Sequence, residues 1–185
     1  ITRRGHDIII QSKDFIEAQG YEVIYGDTDS VFVLLGTSID RPVAQIGDTL
    51  AADLNVWWRD KLRREYDIPS HLEIEFETHF ERFLMPRIRG SETGSKKRYA
   101  GLVAGEQLVF KGLESVRSDW SPLAREFQQE LYRRIFKDEP FEDYVKSVVT
   151  RLLDGDCEAK LVLRKRLRRQ LSDYVKNVPA HVQAA

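Results

Sequence analysis

Cysteine is almost missing from this sequence. Cys157 is the one thiol in 185 residues. That excludes an internal disulfide framework and fits a reducing cytosol. A thiol of this kind reads as a packing residue. Long apolar runs are missing too, so no segment supplies the roughly 20 apolar residues of a membrane-spanning helix. The opening Ile1-Thr2-Arg3-Arg4-Gly5-His6-Asp7 lacks the apolar centre of a secretion signal. Ile1 in place of an initiator methionine is what a segment of a longer protein would show. His6, His71 and His79 have no paired spacing for zinc. Excess charge of one sign is also lacking: 29 Lys and Arg stand against 30 Asp and Glu, a net charge of −1. At first sight that argues against a polyanionic partner.

The charge that is present is segregated. Arg164, Lys165, Arg166, Arg168 and Arg169 run without an acid among them. Lys96, Lys97 and Arg98 form a second cluster, with Arg87 and Arg89 just before it. Acids gather over residues 73–81 and 126–158. Local positive stripes are what a phosphate backbone needs, and an average hides them. A solvated helix or strand face is the plainer reading of any single run.

Residue periodicity predicts an α+β fold. A helix is expected over residues 6–19, stopped by Gly20. β-branched and aromatic residues at 21–25 and 30–35 flank a tight turn, which reads as a β-hairpin. Asp40 is expected to cap a long helix with Pro42 in its first turn, ending near Tyr66 before Pro69. Trp57 and Trp58 read as its anchors in a core. Over residues 72–83 Leu72, Ile74 and Phe76 alternate with Glu73, Glu75 and Glu77, the pattern of a half-buried strand. A polar loop at 87–96 precedes strands at 98–103 and 107–110. Helices are expected from Ser121-Pro122 to Phe136 and from Glu139-Pro140 to Gly155. A short basic strand is expected at 162–167, and a last helix after Pro179. Strand-bearing structure thus gives way to helix at Asp119–Trp120, which divides the chain into residues 1–119 and 120–185.

The chemistry centres on the hairpin tip, Asp27-Thr28-Asp29. Two carboxylates one residue apart at a tight turn project close together. They can supply part of a divalent-metal site whose other carboxylate comes from elsewhere. Hard oxygen donors suit Mg²⁺. Gly26 lets the backbone approach closely, and Ser30 is placed to brace the tip. A plain turn is the simpler reading, since Asp is a favoured turn residue. An EF-hand is excluded: counting from Asp27, the Gly and Glu positions of that loop hold Phe32 and Ser38.

With its flanks, Tyr25-Gly26-Asp27-Thr28-Asp29-Ser30 resembles motif C of family B DNA polymerases. Further likenesses follow in that family's order. Lys96-Lys97-Arg98-Tyr99 resembles its duplex-contacting Lys-Lys-Arg-Tyr motif. The run Gly112-Leu113-Glu114-Ser115-Val116-Arg117-Ser118-Asp119-Trp120 is similar to its palm–thumb junction. Val162-Leu163-Arg164-Lys165-Arg166-Leu167 and Pro179-Ala180-His181-Val182 resemble thumb elements. The segment from Thr78 to Tyr99 is similar to the bacterial polymerase II branch.

The resemblance implies the C-terminal part of a palm over residues 1–119 and the start of a thumb over 120–185. It implies Asp29 as a metal ligand and Asp27 as its neighbour, two Mg²⁺ ions in the intact enzyme, and weak or absent binding by this fragment. Thr28, Ser30, Glu75 and Glu77 are candidate near-site residues. Lys96 joins Lys97, Arg98 and Tyr99 as the primer–template contact, with Lys97 at the minor groove, Arg98 on phosphate and Tyr99 beside the primer end. Arg117, Arg164, Lys165 and Arg166 are candidate phosphate contacts. Implied partners are primer–template DNA and dNTPs, with a sliding clamp through parts outside the chain and no membrane. The implied setting is the bacterial cytoplasm at the nucleoid, in replication or repair. The second metal-binding aspartate and the nucleotide-holding fingers helix are absent, so the fragment alone is expected to be inactive. Two alternatives remain: a non-catalytic DNA-binding module, and a glycosyltransferase using an Asp-x-Asp turn.

Overall fold

The computed structural model describes residues 2–37, 39–87, 97–117, 119–163, 170–175 and 178–183. Contacts divide the chain into two compact units, Ile1–His79 and Phe80–Ala185. The architecture is α+β, as expected. Among the described residues no helix is long and apolar enough to cross a membrane.

The first unit opens with α1 (Thr2–Ala18). Gly20 follows it at φ 90°, a backbone that side chains resist and that ends helices readily. Strands β1 (Glu22–Asp27) and β2 (Ser30–Leu34) then form the expected antiparallel hairpin. Its ladder slips between Val23 and Tyr25, a bulge at Ile24 that sharpens the local twist. Helix α2 (Val43–Tyr66) is longer, and Asp67 closes it in the left-handed region at φ 54°.

Asp40 does not cap α2. Pro42 holds the N-cap position, makes no side-chain cap bond, and accepts from Ile46 N–H at 3.1 Å. A capping oxygen must come from the N-cap residue itself. Asp40 lies two residues too early and instead pairs with Arg41 at 3.6 Å.

The core of this unit is Ile16, Leu54 and Trp58, with Phe15, Val23, Val31, Trp57 and Leu72 packed around it. Trp58 Nε1 donates to Ser12 Oγ at 2.9 Å, and both residues are buried. The indole's polar end is thereby satisfied inside an apolar core. Trp57 stacks edge-on to Trp58 and tilts against Phe15, with centroids 4.9 and 5.2 Å apart. The two tryptophans therefore anchor α2, as the sequence predicts.

Residues 72–81 correct the strand expectation. The burial alternates as predicted, with Leu72, Ile74 and Phe76 half-buried and Glu73, Glu75 and Glu77 exposed. Yet this stretch is in no sheet. The backbone partner of Ile74 is a side chain on α2, with Asn55 Nδ2 donating to Ile74 O at 2.7 Å and Ile74 N–H donating to Asn55 Oδ1 at 3.0 Å, while at the far end Glu81 N–H donates to Leu102 O at 2.8 Å. An extended run with period two can bury one face on a helix, because the period reports burial and says nothing of the hydrogen-bond partner.

The second unit has a three-stranded antiparallel sheet in the order β3 (Arg82–Leu84), β4 (Tyr99–Val103), β5 (Gln107–Lys111). Helix α3 (Pro122–Phe136) begins as predicted, with Ser121 Oγ accepting from Ala124 N–H at 3.3 Å and Pro122 in the first turn. Ala100, Leu102, Leu113, Tyr132 and Phe136 form one buried core. That core draws on residues from both sides of Asp119–Trp120.

Helix α4 (Glu142–Leu153) starts later than Glu139-Pro140. Both residues are held by α3 instead. Arg133 donates to the Glu139 carboxylate at 2.7 and 2.6 Å, and Arg134 donates to Pro140 O at 3.0 Å. Beyond Gly155 come 3₁₀ turns at Glu158–Lys160 and Leu171–Asp173, then α5 (Ala180–Gln183). Residues 161–163 join no strand, and the rest of the expected basic strand lies outside the described residues.

Candidate functional site

Val23, Tyr25 and Asp27 are the more covered residues of β1, and the bulge at Ile24 sets Val23 opposite Val33 but Tyr25 opposite Phe32, on the other face. Asp27 pairs with Ser30, which leaves Thr28 and Asp29 as the two-residue loop. The Tyr25 and Phe32 rings lie across the ladder from one another, centroids 5.3 Å apart. Behind the tip, a Cβ on Gly26 would stand 3.1 Å from Ile9 Cγ2 of α1. The glycine thus lets α1 press against the end of the hairpin.

At the loop, Thr28 N–H donates to Asp27 Oδ1 at 2.7 Å, and the Thr28 hydroxyl donates to the same oxygen at 3.1 Å. Ser30 Oγ donates to Asp29 Oδ1 at 3.1 Å. Ser30 therefore braces Asp29, as the sequence suggests, and Thr28 serves Asp27. Asp27 is half-buried and Asp29 exposed. Two adjacent carboxylates offer hard oxygen donors that fit part of a Mg²⁺ shell.

The set is incomplete. Among the described residues, no three His, Cys, Asp or Glu side chains come together to hold a metal ion. Glu75 and Glu77 do not join Asp27 and Asp29 in such a group. Glu75 instead lines a shallow recess of about 420 Å³ on α2, with Asp48, Asn55 and Phe76.

The second unit gathers a different set. Lys97 takes φ 65°, the left-handed region that a residue with a side chain seldom occupies. A Cβ on Gly112, itself at φ 62°, would stand 2.2 Å from Lys97 O. Only glycine admits that carbonyl. Arg98 forms an ion pair with Glu114 Oε1, and Gln128 Nε2 of α3 donates to Glu114 Oε2 at 2.8 Å. Ser115 N–H donates to Gln128 Oε1 at 2.6 Å. Burial pushes the Tyr132 phenol up, and the Arg98 charge opposes that rise. Tyr99 packs against Phe83 and Phe80, centroids 5.3 and 6.0 Å away.

A family model described as DNA polymerase family B matches residues 1–185. The chain belongs to DNA polymerase family B. DNA polymerase II of Escherichia coli is 57% identical over 189 residues, covering 100% of this chain and 24% of that protein. A DNA polymerase of Archaeoglobus fulgidus is 31% identical over 188 residues, covering 100% and 21%. DNA polymerase 2 of Aeropyrum pernix is 32% identical over 190 residues, covering 100% and 20%. The chain thus spans about a quarter or less of the length of these relatives. Membership leaves the Asp-x-Asp glycosyltransferase alternative without support.

Within this family B chain, the structure places four of the predicted duplex-side residues. Lys97, Arg98 and Tyr99 lead into β4. Arg117 makes a two-pronged pair with Asp119, at 2.9 and 2.6 Å, and that carboxylate raises the Arg117 pKa. Lys96, Arg164, Lys165 and Arg166 lie outside the described residues. Sequence reasoning did not single out Glu114 or Gln128. Glu114 sits inside the Gly112–Trp120 motif, which could have drawn attention to it. Gln128 gives no sequence signal: it is one polar residue among many on α3.

Proposed function

We propose that this chain is the C-terminal part of the palm and the start of the thumb of a DNA-directed DNA polymerase. The palm runs to Asp119, and the thumb begins at Trp120. Asp27-Thr28-Asp29 is one half of a two-metal site for nucleotidyl transfer, and the complementary aspartate lies outside residues 1–185. The paired carboxylates of the hairpin loop, in a chain matched along its full length by the family, carry this reading.

Asp29 would hold Mg²⁺, with Asp27 beside it; bound there, the metal would supply positive charge for the phosphates and acidify the primer hydroxyl. The chain's own residues prepare that place. Ser30 steers the Asp29 carboxylate, and the Thr28 amide and hydroxyl hold Asp27 in its rotamer. Lys97 and Tyr99 grip the duplex near the primer end. Lys96, Arg117, Arg164, Lys165 and Arg166 add cationic contact to phosphate, while Arg98, paired with Glu114, supports Lys97 from behind. Minor-groove acceptors differ little between base pairs, so such a grip works on any sequence. Primer–template DNA and dNTPs are the substrates, and a sliding clamp would act through parts outside this chain. The work belongs to replication or repair at the bacterial nucleoid.

The test uses the intact protein. Asp29→Asn should lower Mg²⁺-dependent primer extension by roughly a thousandfold or more, since a charge-stabilising ligand is gone. Its affinity for primer–template should persist and fall with added salt. Undiminished extension by Asp29→Asn would leave a non-catalytic DNA-binding module as the reading. The 185-residue chain alone should extend no primer.

A further inference from the structure

Lys97 holds an unfavoured backbone, φ 65°, in the middle of the segment proposed to grip DNA. Such a conformation persists only where the surroundings over-determine it. Two constraints meet there. Gly112 leaves room for the Lys97 carbonyl, which a Cβ would approach to 2.2 Å. Arg98, the next residue, is drawn to Glu114 by an ion pair. Arg98 Nε is buried without a hydrogen-bond partner among the described residues, and Glu114 supplies the carboxylate that orients the guanidinium.

Glu114 is in turn held from α3. Gln128 Nε2 donates to its Oε2 at 2.8 Å, and Gln128 Oε1 accepts from Ser115 N–H at 2.6 Å. The position needs a donor and an acceptor on one side chain. Glutamate could not donate to Glu114, lysine could not accept from Ser115, and leucine could do neither. Reversing the amide would set its oxygen against a carboxylate and its NH₂ against an N–H. The network admits one orientation.

We propose that Gln128 is a positioning residue: through Glu114 and Arg98 it fixes Lys97, and so sets how tightly the intact protein holds primer–template DNA. This rests on the reading that Lys97 touches the duplex.

The test measures primer–template affinity of the intact protein by fluorescence anisotropy across a salt series. Wild type, Lys97→Ala, Gln128→Leu and the double variant are compared, with thermal melting followed alongside. Gln128→Leu should weaken binding about three- to tenfold, the scale of losing a buried polar partner. The double variant should bind no more weakly than Lys97→Ala alone, because both changes remove one contact. The salt slope should become shallower in all three, because a cation is withdrawn from the duplex in each. A merely structural glutamine would lower the melting temperature and leave the salt slope alone. Additive losses in the double variant, or wild-type affinity for Gln128→Leu, would overturn the proposal. Wild-type affinity for Lys97→Ala would instead sink the duplex-contact reading itself. If Gln128→Leu shows no cooperative melting, Glu114→Gln is judged by the same criteria.

Discussion

Replacing Asn55 by alanine removes the side chain that holds Ile74. Asn55 donates to Ile74 O at 2.7 Å and accepts from Ile74 N–H at 3.0 Å, both half-buried. A protein hydrogen bond contributes about 1 kcal/mol net, so the pair is worth about 2 kcal/mol. The two backbone groups of Ile74 would also be left unsatisfied in a partly covered place, which brings the expected loss to about 3 kcal/mol. Asn55→Asp is the companion change. It keeps an acceptor for the amide but sets a carboxylate against Ile74 O, so it should also destabilise. Urea unfolding followed by the fluorescence of Trp57 and Trp58 reads the first unit, in a Trp120→Phe background. Hydrogen exchange at the Ile74 amide reads the contact directly, and protection there should drop in Asn55→Ala. A loss below about 0.5 kcal/mol, with Ile74 protection unchanged, would refute the reasoning. Packing of Leu72 and Ile74 on the core would then suffice to hold the segment.

Gly101→Ala would place a methyl group 2.1 Å from Phe80 Cδ1. The ring must leave its contacts with Phe83 and Tyr99, and the expected loss is about 2–3 kcal/mol by thermal or urea unfolding; an unchanged midpoint would mean that the ring has room elsewhere. Hydrogen bonds from Arg133 are the largest cause holding the Glu130 carboxyl at about 2, below its ordinary 4.5, with Arg134 assisting. A lowered folded-state pKa gives stability that is present above the unfolded value and is lost as pH falls through the folded one. Acid unfolding should therefore steepen between about pH 5 and pH 2. Glu130→Gln should flatten that limb, with about 1–2 kcal/mol at stake near neutral pH after allowance for screening at a part-exposed site.

Much of the hairpin was legible in the sequence. β-branched and aromatic residues flank a short Asp-bearing turn, and turn length sets which residues form the loop. Helix α3 announced itself through Ser121-Pro122, because a cap and a first-turn proline act within a few residues. Helix α2 gave its length and its tryptophan anchors but not its cap, since Pro42 took the place that Asp40 needed. The Gly112–Trp120 motif and the Lys96–Tyr99 cluster were visible as words, with nothing to say that they meet.

What the sequence determined by itself was whatever local chemistry controls: the loop carboxylates, the helix starts with a good cap, the alternation of burial over residues 72–77. Tertiary structure decided which partner each polar group found. Ile74 found Asn55, 19 residues earlier, in place of a neighbouring strand. Arg98 found Glu114, 16 residues on, and Gln128 reached Glu114 from 14 residues further. Periodicity reports which face is covered, and composition reports which charges exist. Neither encodes the distance between two segments once the chain has closed, and a hydrogen bond or an ion pair is decided by that distance.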